Sequence, residues 1–137
     1  MEKTFKVEIT WEDKNYCCGY ADSELGVIGC TDKTLDGLKH RFEESMRLHI
    51  KGMVEDGDNV PTWLANGEYK IEYSLAVSAL LKQAERFTTM AVVSRITGIN
   101  QKQLSHYINS VKKPREAQRE RIVAGLHEIG EYFLAVH

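Results

Sequence analysis

The spacing of the apolar residues changes near the middle of the chain, and this change constrains the fold more than any other feature. In residues 4–11 (TFKVEITW) and 68–75 (EYKIEYSL), apolar and polar side chains alternate. Such alternation is typical of a strand that buries one face. After residue 75 the apolar residues instead recur at helical intervals of three or four positions. The sequence therefore predicts an α+β protein in which strands precede a group of helices.

The first half is predicted to be β-β-β-α-β. Residues 15–21 (NYCCGYA) and 25–30 (LGVIGC) predict two further strands, and residues 12–15 (EDKN) supply a turn before them. From Leu35 onward the apolar residues follow one face of a helix, for which Thr34 is a plausible N-cap. We expect this helix to end near the glycine and proline of EDGDNVP, because neither residue continues a helix well.

The second half is predicted to be a helical bundle that forms a separate domain. We place the boundary so that residues 1–74 form one domain and residues 75–137 form the other. The predicted helices lie at about 76–87, 89–97, 101–110 and 115–134. The last of them carries one apolar stripe, formed by Ile122, Leu126, Ile129 and Phe133.

Charge divides the chain at the same place. Residues 1–74 contain 9 Lys and Arg against 15 Asp and Glu, a net charge of −6, whereas residues 75–137 contain 9 against 5, a net charge of +4. An acidic half suits a basic partner and a basic half suits nucleic acid, although a modest excess of charge is usually just a solvated surface. The asymmetry indicates two different tasks.

The composition argues against several other classes of protein. No apolar run approaches the roughly 20 residues that span a bilayer, and the N-terminus lacks the apolar core of a signal peptide, so we expect a cytoplasmic protein with no membrane partner. Cys17, Cys18 and Cys30 have no C-x-x-C spacing and are expected to be packing thiols. The histidines lack the spacing of metal ligands, and no phosphate-binding glycine motif is present. We therefore predict no metal site and no cofactor.

Residues 91–114 (AVVSRITGINQKQLSHYINSVKKP) have the pattern of two short helices joined by a tight turn. Gly98 permits positive φ in the turn, Asn100 is a good N-cap, and Gln103 lies where its side chain can reach back to that cap. The expected buried contacts are Val93, Ile96, Ile99, Leu104 and Ile108. The expected outward face consists of Gln101, Lys102, Ser105, His106 and Asn109. These side chains can bond the edges of bases, although a helical hairpin with a polar outer face has the same pattern.

This segment resembles the helix-turn-helix of phage-repressor-type, or Xre-like, DNA-binding domains. The resemblance includes Gly98, the apolar positions and the basic ending Lys112, Lys113 and Pro114. It implies base contacts by Gln101, Lys102 and His106, and phosphate contacts by Asn109, Lys112 and Lys113. Val111 departs from the pattern, because relatives often have Gly there, so the loop to the last helix is expected to differ.

Residues 26–61 (GVIGCTDKTLDGLKHRFEESMRLHIKGMVEDGDNVP) resemble the HicB family of antitoxins. The resemblance implies a partial ribonuclease-H-like domain at 1–74 and an Xre-like helix-turn-helix domain at 75–137. It further implies a type II toxin-antitoxin pair, in which the chain binds and blocks a HicA-type mRNA-cleaving ribonuclease and represses its own operon. Within the acidic half, the residues expected to suit such a basic toxin are Glu55, Asp56 and Asp58. An Xre-like transcriptional repressor whose N-terminal domain senses a small ligand is the alternative.

A ribonuclease-H-like domain also raises the question of nuclease activity, which would need carboxylates converging on metal ions. The acidic residues available in this half include Glu8, Glu12, Asp13, Asp36 and Glu43. Two of them fall in the first predicted turn and one on the polar face of its strand, so nothing in the pattern brings them together. We therefore expect the chain not to be an enzyme.

We also expect a homodimer or a higher even-numbered oligomer. A single helix-turn-helix covers too few base pairs for tight specific binding, and dimers use paired half-sites about one helical turn apart. Ile129 and Phe133 are a candidate contact between copies. Core packing within the bundle is an equally good explanation of these two residues.

Overall fold

The structure, a computed structural model, describes residues 3–137 and forms two compact units. The first unit comprises residues up to Thr10 together with Lys14–Leu75, and the second comprises Trp11–Asp13 together with Ala76–His137. The division at Leu75 lies one residue after the predicted boundary. The prediction of an α+β protein is confirmed, since the described residues form a four-stranded mixed sheet and six helices. None of the helices formed by these residues is both long and apolar enough to cross a membrane.

The short segment Trp11–Asp13 groups with the second unit, which the sequence did not predict. Two hydrogen bonds explain this grouping. The backbone N–H of Trp11 donates to Ser78 Oγ (3.0 Å), and the Ser110 hydroxyl donates to the Trp11 carbonyl (2.7 Å). Both bonds join residues far apart in sequence, which is why no local pattern indicates them.

The first unit has the predicted β-β-β-α-β order with one additional short helix. Its elements are β1 (Lys3–Glu12), β2 (Asn15–Asp22), β3 (Gly26–Asp32), α1 (Leu35–Glu55), α2 (Thr62–Ala65) and β4 (Tyr69–Leu75). The sheet order is β3-β2-β1-β4, with β2 and β3 antiparallel and β1 and β4 parallel. Asp13 and Lys14 both have positive φ, as a two-residue hairpin turn between β1 and β2 requires.

Alternation along β1 determines which face of the sheet is buried. Phe5, Val7 and Ile9 are fully buried, whereas Lys6 and Glu8 between them are exposed. Helix α1 packs against β2 and β3 and buries one stripe, Leu38, Phe42, Met46 and Ile50. The predicted N-cap is confirmed, because Thr34 Oγ1 accepts from the Gly37 N–H (3.0 Å).

Helix α2 lies in the segment that precedes β4, where no helix was predicted. Leu64 is buried there, and the Trp63 ring lies 6.2 Å from the Phe5 ring. A helix of four residues is too short to show a period of its own. Its stability comes from the packing of Leu64 and Trp63 against the core of the first unit.

The cysteines occupy both faces of β2 and one face of β3. Cys18 and Cys30 are direct partners across the two strands, with their sulfur atoms 3.9 Å apart, and none of the three cysteines forms a disulfide in residues 3–137. Burial raises the pKa of the Cys18 thiol to about 12. Cys18 is therefore a neutral, packed thiol at physiological pH.

The second unit contains four helices close to the predicted positions. They are α3 (Val77–Ala84), α4 (Met90–Thr97), α5 (Gln101–Ile108) and α6 (Glu116–Leu134). Their shared core consists of Val77, Leu81, Val93, Ile99, Leu104, Tyr107, Ile108 and Ile122. Ile96, predicted to be buried, is only half-buried, and Phe133 at the end of the predicted α6 stripe is exposed.

Candidate nucleic-acid interface

The turn between α4 and α5 has the geometry that the sequence predicts. Gly98 adopts the left-handed conformation (φ 76°), and its N–H donates to the Ser94 carbonyl at 2.8 Å. Asn100 caps α5, since its Oδ1 accepts from the Gln103 N–H at 2.8 Å. Any residue with a Cβ atom would be strained in this conformation, which explains why glycine occupies position 98.

The Gln103 side chain does not reach back to the cap, and that part of the prediction is wrong. Its Nε2 instead donates to the Tyr107 hydroxyl at 2.9 Å, one helical turn further along α5. Gln118 Nε2 in α6 lies 3.4 Å from the same hydroxyl. Tyr107 is buried and its hydroxyl needs partners, which explains why Gln103 turns inward.

Residues of α6 also hold the end of α4, and the sequence did not identify them. The Thr97 hydroxyl donates to the Val93 carbonyl (2.7 Å) and accepts from the Ile99 N–H (3.2 Å). Arg121 Nη2 donates to the Thr97 carbonyl at 2.7 Å. A Cβ atom at Gly125 would lie 2.6 Å from Thr97 Cγ2, so the glycine permits this close approach of α6 to α4. A glycine inside a helical pattern was the one available signal.

Helix α5 presents most of the predicted polar face to solvent. Gln101, Lys102, Ser105 and Asn109 are exposed, while the opposite side of the helix is part of the core. Asn109 Nδ2 donates to Ser105 Oγ at 3.3 Å, which orders these two side chains relative to each other. The face offers amide, hydroxyl and ammonium groups, which are the groups that bond base edges in a major groove.

His106 differs from its predicted outward orientation. The residue is half-buried, and its Nδ1 atom is buried without a hydrogen-bond partner among the described residues. Its backbone carbonyl accepts from the Val111 N–H (2.9 Å) and lies 3.3 Å from the Lys112 nitrogen. His106 therefore contributes to the end of α5 as well as to its surface.

The loop that follows α5 contains two lysines, Lys112 and Lys113. Ser110 takes the left-handed conformation (φ 58°), one position before Val111, where relatives of the resembled family often have Gly. Val111, Lys112 and Lys113 are all exposed. In the described part of the chain, no acidic side chain pairs with either lysine. Both ammonium groups are consequently available to an anionic ligand.

The acidic residues Glu55, Asp56 and Asp58 lie at the C-terminal end of α1 and are exposed. Gly57 between them has φ 78°, and the Asp58 N–H donates to the Met53 carbonyl at 3.0 Å. Negative charge at the C-terminus of a helix opposes the helix dipole. These carboxylates therefore do not stabilise the helix through its dipole.

The carboxylates considered for a nuclease do not form a metal site. Glu8, Glu12, Asp13, Asp36 and Glu43 are all exposed. Among residues 3–137, no group of three or more His, Cys, Asp or Glu side chains could hold a metal ion.

Comparisons with known proteins found no match for this chain. No family model matches the chain, and no curated protein and no solved structure matches it either. The functional assignment consequently depends on the residues and the geometry described above.

Proposed function

We propose that this chain is a HicB-type antitoxin that blocks a HicA-type mRNA-cleaving ribonuclease and represses its own operon in the cytoplasm. In this proposal the first unit is a partial ribonuclease-H-like domain that binds the toxin. The second unit is an Xre-like domain in which α4 and α5 form the helix-turn-helix. The observation that carries the proposal is the left-handed Gly98 turn, followed by a helix with one buried apolar face and one exposed polar face.

Helix α5 is the proposed recognition helix. Gln101 and Lys102 occupy its first turn and are exposed, and the N-terminal residues of a recognition helix are those that contact base edges. Gln can pair with adenine through two hydrogen bonds, and Lys can donate to guanine. Ser105 and His106, one turn further on, extend the same contact surface.

The loop lysines are the proposed phosphate ligands, together with Asn109. Exposed cations with no acidic partner lose little when they bind phosphate, and they release counterions from the DNA. Lys112 and Lys113 meet this description. Because these contacts read no sequence, they are expected to contribute to every DNA equally.

The first unit is the proposed toxin-binding part. The acidic excess of residues 1–74 complements a ribonuclease that must itself be basic to hold RNA. Glu55, Asp56 and Asp58 place three carboxylates at one end of α1, where they do not stabilise the helix. Electrostatic attraction of this kind increases the rate of association and fixes the orientation of the partner.

Operator binding by gel shift or anisotropy tests the DNA-binding half of the proposal. A double Gln101→Ala, Lys102→Ala variant should lose roughly 1–3 kcal/mol on the operator upstream of the gene and little on random DNA. Lys113→Ala is the matched control and should weaken binding to both DNAs alike. Equal losses for the double variant on both DNAs would place these residues on the backbone and contradict the base-reading role.

Growth arrest by a coexpressed HicA-type ribonuclease tests the antitoxin half. The full chain should relieve the arrest, and the Gln101→Ala, Lys102→Ala variant should relieve it equally, because its changes lie in the second unit. Charge reversal at Glu55, Asp56 and Asp58 should weaken relief without affecting operator binding. A chain that binds its operator but neither copurifies with the toxin nor relieves arrest would instead be a repressor, with its first unit open to a small ligand.

A further inference from the structure

The backbone of Trp11 joins two parts of the second unit that are distant in sequence. Its N–H donates to Ser78 Oγ in α3 (3.0 Å), and its carbonyl accepts from the hydroxyl of Ser110, two residues after the end of α5 (2.7 Å). Ser78 is buried, and the Trp11 ring packs against the core of the unit, with Lys82 Nζ 4.7 Å from the ring centre. We call Trp11, Ser78 and Ser110 together the Trp11 clamp. Through Trp11, the clamp links the chain at Ser110 to α3.

Ser110 ends α5 in a conformation that usually requires glycine. The Ser110 N–H donates to the Tyr107 carbonyl at 3.3 Å, and the Val111 N–H donates to the His106 carbonyl at 2.9 Å. These two bonds form a Schellman motif, in which the residue at the position of Ser110 adopts positive φ and is most often glycine. Ser110 has φ 58°, which is unfavourable for a residue with a Cβ atom. The hydroxyl bond to Trp11 therefore stabilises a turn that the loop sequence does not favour by itself.

The turn at Ser110 determines where the two loop lysines begin. Lys112 and Lys113 follow Ser110 directly after Val111, and both are exposed. The backbone nitrogen of Lys112 lies 3.3 Å from the His106 carbonyl, so the loop backbone stays at the end of α5. If the turn opened, the lysines would keep their charge but lose their fixed position relative to α5.

We propose that the Trp11 clamp positions Lys112 and Lys113 for phosphate contact, which makes Trp11 and Ser110 positioning residues of the DNA-binding unit. The inference rests on the proposed function, because it takes DNA phosphate as the ligand. A loop that is ordered before binding loses less conformational entropy on binding, so its contacts contribute more to affinity. The clamp contacts no base, and its contribution should therefore be equal on every DNA sequence.

Amide hydrogen exchange of the full chain without DNA tests the positioning of the loop. Ser110→Ala removes the hydroxyl and should speed exchange of the Val111 amide at least about threefold, because the turn opens more often. Ser78→Ala removes the other end of the clamp and should act in the same direction, which keeps the test possible if Ser110→Ala does not fold. Thr89→Ala is the matched control, since it removes a hydroxyl that accepts from the Val92 N–H in α4 (3.2 Å) and should leave the Val111 amide unchanged. Unchanged Val111 exchange in the clamp variants overturns the proposal.

DNA binding in a double-mutant cycle tests the phosphate role. Ser110→Ala should weaken binding to operator and random DNA alike by roughly three- to tenfold, the range expected for one hydrogen bond. In a chain that also carries Lys112→Ala and Lys113→Ala, the same change should have no effect, because the side chains that the clamp positions are gone. Thr89→Ala should have the same effect in both backgrounds. A Ser110→Ala loss that persists without the lysines reflects general stability and overturns the proposal.

The two tests separate this inference from the proposed function. A chain that binds no DNA, but in which Ser110→Ala speeds Val111 exchange, contradicts the proposed function while it supports the positioning of the loop by the clamp. A chain that binds its operator with the same affinity after Ser110→Ala contradicts only the inference. Circular dichroism melting of each variant checks that it is folded under the conditions of both measurements.

Discussion

The two units of this chain position their exposed polar residues through different kinds of contact. In the first unit, strand alternation and one amphipathic helix separate a buried apolar face from a solvated one, and the main contacts are apolar. In the second unit, α5 also packs into an apolar core, but one hydrogen bond from Gln118 of α6 reaches its Tyr107 hydroxyl, and Gly125 of α6 lies close to Thr97 of α4. Apolar contacts are non-directional, whereas the hydrogen bond and the close approach in the second unit depend on individual distances between helices.

The largest effect is expected from removing the centre of the first core. Phe42 is fully buried in α1 and its ring lies 6.4 Å from that of Tyr73. Phe42→Ala should lower the free energy of unfolding of the first unit by about 3–5 kcal/mol, because it removes buried area and leaves a cavity. Leu48→Ala on the exposed side of the same helix should cost much less. Urea unfolding of a Trp11→Phe background would follow the first unit through Trp63, and equal losses for the two variants would contradict the apolar account.

A smaller but more local effect is expected from adding one methyl group to the second unit. Gly125→Ala would place its Cβ 2.6 Å from Thr97 Cγ2, so the Thr97 side chain or helix α6 must shift. We expect a loss of about 1–3 kcal/mol in the stability of the second unit, together with weaker operator binding as the turn shifts. Gly130→Ala is the control on the same helix, because nothing lies within 4 Å of its added methyl group. It should stabilise the helix by up to about 1 kcal/mol, and thermal melting of both variants would show whether the two changes have opposite signs.

The same contrast explains how far the sequence predicts the structure. The strands, the sheet-covering helix and the four helices of the second unit follow from periodicity and caps, because Thr34, Gly98 and Asn100 act on neighbours in sequence. The exposed polar face of α5 was likewise predicted, except that His106 is half-buried. The Arg121 bond to Thr97 was not predictable, because it depends on how α6 packs against α4. The inward turn of Gln103 was not predictable either, because it depends on the burial of Tyr107 in the core.

An intermediate test concerns the start of α1, where the first unit relies on a polar contact. Thr34→Ala removes the hydroxyl that accepts from the Gly37 N–H, so we expect a loss of about 1 kcal/mol. Thr34→Ser retains the hydroxyl and should retain most of the stability. Chemical denaturation of both variants measures the difference, and an alanine variant as stable as the serine variant would show that the cap contributes nothing there.

The smallest expected effect is the pH dependence that this same cap region adds to the first unit. The Thr34 N–H donates to Asp32 Oδ1 at 3.0 Å, and this bond, with the Arg41 guanidinium at 3.2 Å, lowers the pKa of the Asp32 carboxyl. Because the folded-state pKa lies below the unfolded value, the stability that the Asp32 carboxylate contributes is fully present above about pH 4 and is lost as the pH falls through the folded pKa.

The stability difference between the parent and Asp32→Asn should therefore be largest near neutral pH and shrink on acidification. Urea midpoints at pH 7, 5 and 3 would measure it, with Glu8→Gln as a control at an exposed strand carboxyl away from the helix terminus. A difference between parent and Asp32→Asn that stays constant over this range would show that the carboxylate charge is not what the cap region uses.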